Sequence, residues 1–87
     1  MRLLFAVVFS LLLSSGLFAA EPEPVNINRA NAQQLADGLV GVGKTKAEAI
    51  IVYREAYGEF ASVDELASVK GIGPAIIAKN RDHIVLK

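Results

Sequence analysis

The stretch GLVGVGKT, Gly38 to Thr45, satisfies two patterns at once, and the choice between them decides the fold. One is G-x-x-x-x-G-K-[ST], the loop whose backbone amides cradle the phosphates of a nucleotide. That loop must leave a buried β-strand inside a parallel sheet. Here it is preceded by NAQQLAD, Asn31 to Asp37, which is polar and carries helix-start signals rather than a β-type run. A second glycine loop, KGIGPAI from Lys70 to Ile76, lacks the Gly-Lys-Thr ending altogether. The chain is also too short to supply such a sheet. The nucleotide-hydrolase match is coincidental.

The second pattern is h-x-G-h-G-x-x-x-A-x-x-h-h, with h apolar. Leu39, Gly41, Val42, Gly43, Ala47, Ile50 and Ile51 fill every fixed position. Working outward, Asn31 with Gln34 three residues on forms an Asn version of the capping box. It predicts a short helix from Ala32 to Asp37, stopped at Gly38. After the Gly41–Gly43 turn, a longer helix is predicted from Lys44 to Tyr57. Ala47, Ile50, Ile51, Tyr53 and Tyr57 form its apolar stripe, and Gly58 its C-terminal stop.

The arrangement then repeats. Ser62 and Glu65 make an S-x-x-E capping box for a short helix reaching Val69. Gly71-Ile72-Gly73 turns the chain thirty residues after Gly41-Val42-Gly43. Pro74 opens a last helix running to about His83, at the position where a missing N–H costs little. Each half offers only a thin apolar stripe, so the two must bury each other. The fold class expected is all-α: a tandem helix-hairpin-helix domain of four to five short helices, spanning residues 29–87.

The first twenty residues, MRLLFAVVFSLLLSSGLFAA, stand apart. One early Arg2, an apolar run and small residues ending at Ala20 have the layout of a secretory signal peptide, with an uncleaved anchor as the alternative. Residues 21–28, EPEPVNIN, read as an extended, solvated tether. The expected location is therefore periplasmic, with no stable membrane association once the leader is removed. The full chain has nine Lys and Arg against nine Asp and Glu. Without Arg2, eight bases face nine acids, so bulk charge does not announce a polyanionic partner. Cysteine is absent, which excludes disulfides and thiolate metal sites. His83 is a lone histidine with no partners at ligand spacing, so it is read as a surface or helix-end residue. No metal and no cofactor are expected.

The whole segment from VNIN to IVLK resembles the helix-hairpin-helix DNA-binding motif, in the form found in the secreted competence DNA-receptor family, ComEA. VNINRANAQQL, VGVGKTKAEAIIVYRE, GEFASVDEL, VKGIG and KNRD carry the likeness. The resemblance implies non-sequence-specific binding of double-stranded DNA during uptake for transformation. The uptake machinery would be nearby, and no small-molecule substrate is implied. It also implies that Val42 and Ile72, between the glycines, tuck inward to anchor each turn, and that two hairpins reach the two strands across a minor groove. The chemistry fits: amides of a hairpin and of the next helix's first turn lack intrahelical partners and favour an anion. The candidate DNA-binding residues are Gly41, Val42, Gly43, Lys44, Thr45 and Lys46 in the first unit. In the second they are Lys70, Gly71, Ile72, Gly73, Ala75 and Lys79.

Departures from the pattern rank the two hairpins. In the second unit Ile77 takes the alanine position, and Asn80 and Arg81 take the apolar pair. Pro74 removes one amide donor, so the first hairpin should be the stronger phosphate site. Val40 stands where the family commonly has proline. Asn80 and the asparagines of NIN are read as hydrogen-bonded structural groups, caps and turn-makers. Two other readings remain: an envelope protein–protein interaction module, favoured by the degenerate second copy and acidic balance, and a fragment of a repair-type enzyme. The second lacks support, because the acids are dispersed and a small helical domain has little room for a base pocket.

Overall fold

The computed structural model describes residues 23–87; residues 1–20, read above as a leader, and the first two residues of the segment read as a tether lie outside them. The order is strand β1 (Val25–Asn26), helix α1 (Ala32–Gly38), helix α2 (Lys44–Tyr57), a 3₁₀-helix (Val63–Ser68), helix α3 (Pro74–Asn80), a 3₁₀ turn (Arg81–His83) and strand β2 (Ile84–Val85). The all-α class holds, with two two-residue strands added. The second short helix is 3₁₀ rather than α, and α3 tightens into a 3₁₀ turn at Arg81 instead of running unbroken to His83.

The strands correct the tether reading. Val25 and Asn26 pair in parallel with Ile84 and Val85, and Ile27 donates its N–H to the Val85 carbonyl at 3.1 Å. Val25 and Ile27 are buried in the core. Residues 25–28 therefore belong to the folded body.

Local signals account for most helix ends. The Asn31 capping box is complete: Gln34 N–H donates to Asn31 Oδ1 and Asn31 N–H donates to Gln34 Oε1, each at 2.8 Å. Ser62 accepts from Glu65 N–H at 3.3 Å, but the Glu65 carboxylate does not close the expected box. It accepts instead from Ala61 N–H at 2.8 Å and from the Tyr53 hydroxyl at 3.1 Å. That second bond ties the 3₁₀-helix to α2.

One core joins both units, with Ile27, Leu35, Ile50 and Leu66 fully enclosed. Each such side chain contributes about 1.5–3 kcal/mol by burial. The α2 stripe is narrower than expected. Ala47 and Ile50 are buried and Ile51 and Tyr53 half-buried, but Tyr57 is 74% exposed and only its ring meets Tyr53. Tyr53 in turn stacks on the buried Phe60.

His83 ends the 3₁₀ turn, the helix-end place read for it, but it is not a surface residue. It is buried, with Nε2 3.0 Å from the Gly38 carbonyl oxygen. A carbonyl only accepts, so the ring carries a proton on Nε2 and donates it. The lone histidine is a strut between the end of α1 and the turn after α3. Gly38 itself is a packing requirement rather than a left-handed stop: its φ is not positive, and a Cβ there would fall 2.5 Å from Val25 Cγ2. Gly38→Ala is expected to push β1 off α1 and cost about 1–3 kcal/mol, read as a lower thermal midpoint. An unchanged midpoint would show that β1 adds nothing to stability.

Candidate nucleic-acid interface

The two hairpins are the same turn built twice. Val42 N–H donates to the Leu39 carbonyl at 3.2 Å, and Ile72 N–H to the Val69 carbonyl at 3.0 Å. The third residue of each four-residue turn is a glycine with positive φ, 81° at Gly41 and 92° at Gly71. This is type II turn geometry, which a side chain at that position would strain. Val42 and Ile72 are buried at 3% and 5% exposure. They anchor the turns as the resemblance implied, but their side chains face the core and their amides are spent within the turn. Neither offers a group to a ligand, which corrects their place among the contact residues.

The second glycine of each pair obeys a different rule. Gly43 has φ −83° and Gly73 φ −114°, values open to any residue, and a Cβ at either would meet nothing within 4 Å. Nothing among the described residues requires glycine there. Each is the N-cap of the following helix, and neither supplies a side-chain cap. By contrast, α1 and the 3₁₀-helix are capped by Asn31 and Ser62. In the first unit the N–H groups of Gly41, Gly43, Lys44, Thr45 and Lys46 have no intramolecular partner among the described residues, the first bond of α2 being Ala47 N–H to Gly43 at 2.9 Å. The second unit leaves Gly71, Gly73, Ala75 and Ile76 open, while Pro74 has no N–H to offer.

The hairpins lie against each other with approximate two-fold symmetry. A Cβ at Gly41 would sit 3.5 Å from Ile76 Cγ1, and one at Gly71 would sit 3.3 Å from Lys46 Cγ and Cε. Lys46 and Ile76 occupy matching places in the repeat, so each unit lays the same position across the other's first glycine. The Lys46 stem thereby carries its ammonium group from the first unit to the second hairpin, a placement that sequence order conceals. Lys44, Thr45, Lys70 and Ala75 are exposed at the turns. Lys79 is exposed in the last turn of α3, at the end of that helix remote from its hairpin. Arg81 forms an ion pair with Asp64 and is thereby diverted from the hairpins.

The first hairpin has a support that, among the described residues, the second lacks. Asn80 is 1% exposed, and its side-chain amide bonds both backbone groups of Val40: Oδ1 accepts from Val40 N–H at 2.8 Å and Nδ2 donates to the Val40 carbonyl at 2.9 Å. Its remaining proton goes to the Ile76 carbonyl at 2.8 Å. The structural role read for Asn80 holds. Asn28 behaves in the same way toward Phe60, accepting from its N–H at 2.6 Å and donating to its carbonyl at 3.1 Å, with the other proton on the Leu86 carbonyl at 3.0 Å. Asn26 is the turn-maker, accepting from Asn28 N–H at 2.9 Å. No group of three or more His, Cys, Asp or Glu side chains converges as a metal site among the described residues.

The family model described as helix-hairpin-helix motif matches residues 21–85. The chain belongs to the helix-hairpin-helix family. Within it, the chain is 45% identical over 67 residues to an uncharacterized protein of Haemophilus influenzae, covering 77% of this chain and 60% of that protein. It is 44% identical over 63 residues to ComE operon protein 1 of Bacillus subtilis, covering 72% of this chain and 30% of the relative. The ComEA resemblance is borne out by that match. A third relative is the human endonuclease/exonuclease/phosphatase family domain-containing protein 1, 43% identical over 51 residues, which is 59% of this chain but 9% of that protein. The chain thus spans less than two thirds of the length of these relatives.

Proposed function

We propose that this chain is a non-catalytic module that binds double-stranded DNA by its phosphate backbone, without sequence preference, and that it serves DNA uptake in the periplasm. The observation that carries the reading is the pair of uncapped helix N-termini behind type II turns, each with a second glycine that nothing among the described residues requires. Unpartnered amides at a helix start, with the positive end of the dipole, suit a phosphate. A missing Cβ lets it approach. Approximate two-fold symmetry suits two antiparallel strands, and Lys44, Lys46 and Lys70 add charge at the same edge. Phosphate contacts set position without reading bases.

The likeness to ComE operon protein 1, and the signal-peptide layout of residues 1–20, support placing the module in DNA uptake across the envelope. The first hairpin, with five open amides against four, is the stronger site. The matched portion of the endonuclease-named relative is a small fraction of it, so that protein's name transfers no activity here.

Titration of the protein with a fluorescent 12–20 base-pair duplex at several salt concentrations tests the reading. With about four to six phosphates engaged, the plot of log affinity against log salt should fall with a slope of about −4 to −5. Gly43→Ala sharpens the test. Its melting curve should stay unchanged, because the added methyl meets nothing and φ is ordinary, while duplex affinity falls about tenfold, the loss of one charge-assisted contact. Salt-independent binding, or full affinity in Gly43→Ala, would refute the proposal.

A second reading rests on a groove that adjoins the hairpins, its lining including Thr45 and Lys70. Val52 is 64% and Tyr57 74% exposed along an open groove of about 510 Å³ beside α2. That surface favours a protein-interaction role, and absence of duplex binding in the titration would transfer the assignment to it.

A further inference from the structure

Resting on the DNA reading, we infer that Asn80, in the last turn of the second unit, is a positioning residue for the first hairpin: it fixes the Val40–Gly41 peptide so that the Gly41 amide faces the ligand. The central peptide of a β-turn has two orientations, related by a flip that converts type I into type II. In a trans peptide the carbonyl and the following N–H point in opposite directions. Asn80 Nδ2 holds the Val40 carbonyl inward at 2.9 Å. The Gly41 N–H, on the far side of the same plane, is therefore turned away from Asn80, and no group of the described protein accepts from it. The side-chain amide cannot be reversed, since Val40 N–H requires an acceptor and the carbonyls of Val40 and Ile76 both require donors. Because Asn80 is itself sealed in the core, the orientation is imposed by the fold rather than by the ligand.

The device works in one direction. The residue matching Asn80 in the first unit is Ile50, fully buried and without hydrogen-bonding groups. Among the described residues no side chain clamps the Lys70–Gly71 peptide. The second unit thus fixes the first hairpin, while the second hairpin retains freedom at its own central peptide. Asn80 in an apolar register position, read in isolation, looks like degeneration of the repeat. Its contacts make it the link through which the weaker unit prepares the stronger one.

The test uses Asn80→Ile, which copies the first unit's residue, and Val40→Pro. The proline removes only the N–H bond and keeps the carbonyl bond; Leu39, at φ −108° and ψ 119°, already has the backbone that precedes proline. In ¹H–¹⁵N spectra of the free protein, Val40 should be protected from exchange at least tenfold more than Lys70. Asn80→Ile should abolish that protection and shift Gly41, leaving Gly71 in place. Duplex affinity should fall about tenfold in Asn80→Ile and no more than about threefold in Val40→Pro. Equal affinity in a folded Asn80→Ile, or an equal loss in both variants, overturns the inference. Should Asn80→Ile fail to fold, the inference stands or falls on two measurements: Val40 against Lys70 exchange in the native chain, and affinity of Val40→Pro. Should the native chain bind no duplex while the exchange pattern holds, the DNA reading fails and the clamp remains.

Discussion

Reversing both lysines at the start of α2, Lys44→Glu with Lys46→Glu, is expected to weaken duplex binding about a hundredfold in dilute buffer and to flatten its salt dependence. Each lysine that neutralises a phosphate contributes about one unit to the salt slope, so the slope should shrink by about two. The size of the loss follows from where the two charges act. Lys44 stands at the first position of α2, beside the open amides, and its reversal sets a carboxylate where a phosphate would bind. Lys46 crosses to the other hairpin over Gly71, so one change there weakens both halves of the interface. Its aliphatic stem also packs, and glutamate is shorter, so thermal melting must accompany the titration to separate binding from folding. A folded double variant with native affinity and native slope would remove the hairpins from the interface. Lys79→Glu is the internal comparison: at the far end of α3, it should change affinity much less than either hairpin lysine.

The second large effect concerns stability. Asn28→Ala is expected to destabilise the domain by about 3 kcal/mol, because it strands the N–H and carbonyl of Phe60 and the carbonyl of Leu86 in a partly buried site. For a domain of this size that is a fall of about 15 °C in the melting midpoint. A small core has little reserve, so a large fraction of the chain would unfold at physiological temperature. Asn28→Asp should be nearly as damaging. It keeps the acceptor for Phe60 N–H but turns a carboxylate oxygen toward two carbonyls. A midpoint within about 2 °C of the parent would show that water replaces these bonds without cost.

Those two asparagines mark the boundary of what the sequence discloses. The hairpins were legible because their determinants are local: a positive φ demands Gly41 and Gly71, the anchors Val42 and Ile72 lie next to them, and Asn31 and Ser62 cap the helices before them. The three-dimensional ties were not. Asn28 meets Phe60 thirty-two residues away and Leu86 fifty-eight away, and Asn80 meets Val40 forty away. No periodicity encodes such partners. The prolines before Val25 and Ile27 suggest a tether, yet an apolar pair in alternate positions suits a short strand, and both residues of its partner, Ile84 and Val85, are β-branched. His83 looked superficial because one polar residue near the end of a chain carries no pattern. Its burial is visible only once the Gly38 carbonyl is seen above it. At the candidate site, sequence order placed Lys46 with the first hairpin, whereas the crossing of the two units delivers it to the second.

The pairing of β1 with β2 has a mechanical consequence. Because the strands run parallel, a pull transmitted through the residues before Val25 and after Val85 acts in opposite senses along the two strands. Tension then slides them past one another and loads their hydrogen bonds together, instead of peeling them apart one at a time. With Asn28 tied to Leu86 and Arg54 to the Ile27 carbonyl beside that seam, the fold is closed where traction on the chain arrives.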